Sequence, residues 1–219
     1  MRGSKLGLRG MLRVAVWVVV TATLSIPVAR AQSGPSADAD AFAPVEEYAR
    51  KVEEFTKHAP NLQKKIEDGT KAIDALNDAA KARVELEQLR GAVAELLGRV
   101  SDNGDLSRLG AKALDNARNK LKALEQDTRF KPEEREFLTG QWRELIRQTV
   151  RAAEDLDKAR QEFAELVRTL QTREDFIDEL LQIKRAAEAI KVMRQLTSDL
   201  RDASEKLKTL IGGIKPPGA

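Results

Sequence analysis

The chain has 219 residues, of which 33% are charged, 42% hydrophobic and only 4% aromatic, and it contains no cysteine. That balance suits a helical protein stabilised by helix seams, and it excludes disulfide staples and thiol chemistry. The formal charge of +3 is local: Arg2, Lys5, Arg9, Arg13 and Arg30 stand in an acid-free stretch, and without these five the count is 33 basic against 35 acidic residues, a net of −2. This disfavours nucleic acid as a partner.

Residues 1–31 read as a cleaved signal peptide. A basic start leads into the apolar run from Val14 to Val28, and Ala29-Arg30-Ala31 forms a small-residue cleavage site. Cleavage is expected between Ala31 and Gln32, giving a periplasmic or secreted protein. An uncleaved anchor is the alternative, and only then is a membrane implied; the run is shorter than the ~20 residues a spanning helix needs.

Residues 32–43 are small, polar and acidic and read as a flexible tether. From Pro44 a helical period appears at Val45, Tyr48, Val52 and Phe55, and Pro60 is expected to end it. Asn61 then caps a second helix to Val100. Its apolar stripe changes phase between Ala80 and Leu86, where a drift or a bend is expected. Ser101-Asp102-Asn103-Gly104-Asp105 is a clear turn, followed by a third helix with Leu106, Leu109, Ala113, Ala117, Leu121 and Leu124.

Pro132, Glu133 and Glu134 open the helix on which the chain is organised. Leu138, Trp142, Leu145, Thr149, Ala152, Leu156, Ala159, Phe163, Leu166 and Leu170 follow one another in alternating steps of 4 and 3, a heptad stripe that needs a partner helix. Past Leu170 the stripe slips. Thr172-Arg173-Glu174-Asp175 resembles a capping box, so a fifth helix is expected from there to Leu210, with one continuous helix as the rival reading. Gly212 and Gly213 stop the last helix, and residues 212–219 are expected to be a disordered tail.

Catalytic chemistry finds little to work with. His58 is the single histidine and sits near a helix end, where it complements the dipole. No serine-nucleophile motif or phosphate-cradling glycine pattern is present, and the paired acids fall on solvated faces. No enzyme activity, cofactor or metal is expected. The candidate partner-binding residues are Phe130, Phe137 and Trp142, aromatics gathered at the start of the central helix, with Trp142 also reading as a core residue of the stripe. Phe137-Leu138-Thr139-Gly140-Gln141 resembles the LTxxQ motif of small periplasmic helical chaperones, with Gln141 one position early; so short a likeness assigns no family.

The sequence therefore predicts an all-α protein: an elongated up-and-down helical bundle or antiparallel coiled coil of four to five helices over residues 44–211. The expected function is that of an exported, non-enzymatic scaffold or protein-interaction module, with a protein partner or self-association. The alternatives are a holdase-like chaperone, which needs an exposed apolar patch, and a small-ligand sensor, which needs a buried pocket between helices with convergent polar groups and would be favoured by Thr149 facing a cavity beside Gln or Arg.

Overall fold

The computed structural model describes residues 36–75 and 78–218, and among these there is no strand. Five helices follow in order: α1 (Ser36–Ala75), α2 (Ala79–Val100), α3 (Asp105–Gln126), α4 (Pro132–Gln182) and α5 (Ala186–Gly213). The fold is all-α, and the helices pack as a bundle around one apolar cluster. The signal peptide predicted at 1–31 lies outside the described residues.

α4 is the common partner. Arg143 meets Glu125 of α3 at 2.8 Å, Arg160 meets Asp102 in the α2–α3 turn at 2.8 Å, and Glu174 meets Arg90 of α2 at 3.0 Å. Thus α2 and α3 lie one after the other along α4. The other two helices close the packing: α1 rests on α3 where the Tyr48 ring covers Gly110, and α5 reaches both α4, through Lys206 and Glu162, and α1, through Thr197 and Asp74.

The predicted stripe of α4 is the core. From Trp142 through Thr149, Ala152, Leu156, Ala159, Phe163, Leu166 and Leu170 every position is buried, while Leu138 and Leu145 are half-buried at its start. Phe163 meets Phe55 of α1 edge-on, with centroids 6.4 Å apart and planes at 83°. Such a pair contributes about 0.5–1.5 kcal/mol beyond the area it buries.

Helix boundaries differ from expectation in four places. First, α1 passes through Pro60, where a terminus is expected from the sequence. Pro60 is solvent-exposed, while Phe55, Leu62 and Ile66 on either side are buried. Their burial outweighs the ~3 kcal/mol that an internal proline costs. The same helix starts at Ser36, so the segment read as a tether is helical from that residue.

Second, the stretch expected to run unbroken from Asn61 to Val100 divides before Asp78, whose carboxylate accepts the N–H groups of Ala80 and Lys81 at 3.0 and 3.3 Å. The buried positions of α2 are Ala79, Ala82, Leu86, Leu89, Val93, Leu96 and Val100, a regular heptad. Ala80 is exposed. The change of phase is real but falls earlier, at the break itself: Ile73 of α1 and Ala79 of α2, both buried, stand six residues apart where a heptad needs seven.

Third, α4 does not end at Gln171; it continues to Gln182. It closes in a Schellman turn, in which Arg185 N–H donates to the Leu180 carbonyl at 2.8 Å and Lys184 N–H to that of Leu181 at 3.1 Å. Lys184 takes the left-handed position, φ 59°, that glycine normally fills.

Fourth, the expected disordered tail is ordered from 212 to 218. Gly212 and Gly213 belong to α5, Ile214 and Pro217 are buried, and Gly218 N–H donates to Gln148 Oε1 of α4 at 2.8 Å. An aliphatic at 214 and the prolines after it give this tail apolar surface to bury.

Candidate partner-binding face

The site residues named from sequence sit around the start of α4, and local chemistry fixes that start. Asp127 N–H donates to Leu124 O at 3.2 Å, closing α3. The Asp127 carboxylate binds the Arg129 guanidinium at 2.6 Å. That bond, together with one from the Arg129 backbone N–H, holds the Asp127 carboxyl down to about 2. Pro132 then occupies the first helical position, and Glu134 Oε2 accepts the Lys131 N–H at 3.2 Å.

The helix sorts the three aromatics apart. Trp142 turns inward: it is 3% exposed and stacks on Phe42 of α1, with centroids 4.5 Å apart and planes at 21°. Phe130 is half-buried and packs against the core. Phe137 alone faces out, at 57% exposure. Trp142 therefore belongs to the core and not to an accessible patch with Phe137.

Around Phe137 lies a shallow groove along one side of α4, lined by Glu136, Phe137, Gly140, Gln141, Glu144, Leu145 and Gln148. Beside Gly140 there is open space. Glu144 is held by Arg147 and by Gln148 Nε2, the latter at 3.0 Å. Gln148 in turn receives the Gly218 N–H, so the C-terminal residues border the groove at this end. The face thus offers an aromatic anchor, a small residue where a neighbouring helix could approach closely, and carboxylates at its rim.

No family model, no curated protein and no solved structure matches this chain.

Thr149 is fully buried, and its hydroxyl donates to the Leu145 carbonyl at 2.8 Å. Its polar group is satisfied by its own helix. His58 is exposed, in a shallow hollow with Asn61, Lys65, Glu95 and Arg99. Among the described residues no group of His, Cys, Asp or Glu is placed to hold a metal ion, and no helix is long and apolar enough to cross a membrane.

Sequence reasoning missed two features. Phe42 lay in the stretch read as a tether, yet it covers one face of Trp142 while remaining 41% exposed. Glu174 lies in the seam itself, 1% exposed, accepting Arg90 Nε with both oxygens at 3.0 and 3.1 Å. One turn further on, Arg83 binds Asp178 with two bonds, of 3.0 and 3.1 Å. Spacing gave no clear sign of Glu174: the step from Leu170 is four where the alternation calls for three, so the buried stripe shifts phase at this carboxylate.

Proposed function

We propose that this chain is an exported, non-enzymatic helical module that binds a protein partner through the Phe137 face of α4. The observation that carries the reading is an aromatic side chain of α4 left 57% exposed beside half-buried Leu145 and lining a groove, where the other exposed aromatic of that helix, Phe176, is 44% exposed and lines none of the described grooves. An exposed aromatic among carboxylates fits an amphipathic helix with apolar and basic residues. Export rests on the basic, apolar and small-residue succession of positions 1–31.

In this reading the scaffold is an elongated, antiparallel coiled coil. What supports it is the order of cross-helix partners: Arg83 and Arg90 of α2 meet Asp178 and Glu174 of α4, and Gln63 and Asp74 of α1 meet Glu205 and Thr197 of α5. In each pair of helices, residue numbers rise on one as they fall on the other.

The test is in-cell photocrosslinking with a benzophenone amino acid placed at position 137 and, separately, at exposed position 88 of α2. A discrete adduct obtained from position 137 alone is the expected result; an adduct of twice the chain mass would make the partner a second copy. No adduct, or the same adducts from both positions, would overturn the proposal. A ladder of many adducts from 137 would instead favour the holdase reading, which the exposure of Phe42 and Phe137 also fits.

A further inference from the structure

The α2–α4 seam holds a charge where its neighbours are apolar. Glu174 stands between Leu170 and Ile177 on the buried stripe of α4. Withdrawing a carboxylate from water is unfavourable, and its one direct partner, the Arg90 guanidinium, is itself 30% exposed. Burial accordingly pushes the Glu174 carboxyl above its ordinary value in spite of the pull of Arg90 and Arg83, with Glu87 adding to the push. A leucine at this position would suit the seam better, so stability does not account for the glutamate.

What the apolar residues leave open is the alignment of α2. Its inward positions are alanine, leucine and valine at heptad spacing, so a displacement by one heptad again sets aliphatic on aliphatic. Its outward face opposes rotation weakly: Val84 is 50% exposed, and Gly91 and Gly98 have open space beside them. The charges remove both ambiguities. Arg83 and Arg90 stand one heptad apart and meet Asp178 and Glu174. Sliding α2 one way sets Leu97 opposite Glu174 and leaves a buried carboxylate unpaired. Sliding it the other way brings Arg83 to Glu174 but deprives Asp178 of its partner and sets Arg90 against Val167.

We propose that the Arg90–Glu174 pair is a register lock, which fixes the rotation and axial alignment of α2 on α4 and serves uniqueness of packing, not stability. A buried polar group in an otherwise apolar seam is the best-attested device of this kind, and the more exposed Arg83–Asp178 pair one turn on acts with it.

Because the chain has no cysteine, nitroxide labels at Gln88→Cys and Glu179→Cys report the alignment by pulsed electron resonance. The parent is expected to give one narrow distance. The double variant Arg90→Leu with Glu174→Leu is expected to raise Tm by roughly 2–10 °C and to give a second or much broadened distance. The charge-exchanged Arg90→Glu with Glu174→Arg is expected to restore the single distance. A double-leucine chain that keeps the parent's single distance, melts lower or fails to fold overturns the proposal, as does a charge-exchanged chain that does not return to one distance.

Discussion

Removing Arg90 alone isolates what a buried carboxylate does in this seam. In Arg90→Ala the Glu174 side chain, 1% exposed, loses the guanidinium that both its oxygens accept. An uncompensated buried charge of this kind costs about 3–5 kcal/mol. That is a large part of a typical domain stability of about 5–15 kcal/mol. The penalty has a definite pH dependence. The Glu174 carboxyl is already raised in the folded chain, chiefly by burial. A folded value above the unfolded one means that the native state takes up the proton first, so Glu174 lowers stability as pH rises through that interval. Deleting Arg90 widens the interval upward. At pH 7 the full penalty is expected. Near pH 4, where an unfolded glutamate of pKa about 4.3 is largely protonated as well, only the lost packing of Arg90 should remain, about 1 kcal/mol or less. Urea unfolding followed by circular dichroism, comparing variant and parent at each pH, cancels the titration of the other carboxylates. A penalty equal at both pH values, or below about 1 kcal/mol at pH 7, would mean that Glu174 is not held as a buried charge by Arg90.

Three further outcomes follow from the packing. Gly91 is exposed with nothing beside it, so Gly91→Ala should stabilise by about 1 kcal/mol in urea unfolding. Gly69→Ala should do the reverse, by about 1–3 kcal/mol, because its Cβ would stand 2.8 Å from the Leu89 methyls across the α1–α2 contact. Lys184→Gly should raise stability by about 0.5–1 kcal/mol, by relieving the left-handed backbone at the end of α4, and a loss would contradict the Schellman assignment.

Much of the fold was legible where a strong local signal coincided with the tertiary one. The turn at 101–105 gave the start of α3, because Gly104 sits where a Cβ would meet the Arg99 carbonyl oxygen at 2.4 Å and only glycine fits. Pro132 gave the start of α4 because a proline at the first helical position loses no hydrogen bond. The misread places share a cause: long-range packing overrode the local preference. Pro60 reads as a terminus until the burial of Phe55 and Leu62 around it is known. Glu174 reads as the start of a new helix until Arg90, distant in sequence, arrives to pair with it. The end of α4 carries no glycine, so a turn built on Lys184 gave no sign of itself. At the site, helical spacing places Trp142 inward, whereas Phe137, five residues before it, lies on another side of α4 and faces out. Phe42 was hidden because a polar, alanine-rich stretch reads as a linker when its single aromatic has no visible partner.

The claim that the Phe137 face serves recognition and not folding is tested most directly by one variant read two ways. Phe137→Glu, carrying the benzophenone at Gln141, is compared with the same probe in the otherwise unchanged chain. Because Phe137 is 57% exposed, its replacement should move stability by no more than about 0.5 kcal/mol. An unchanged melting curve and loss of the photoadduct are expected. A persisting adduct, or a chain that melts well below its parent, would mean that Phe137 serves folding and not recognition.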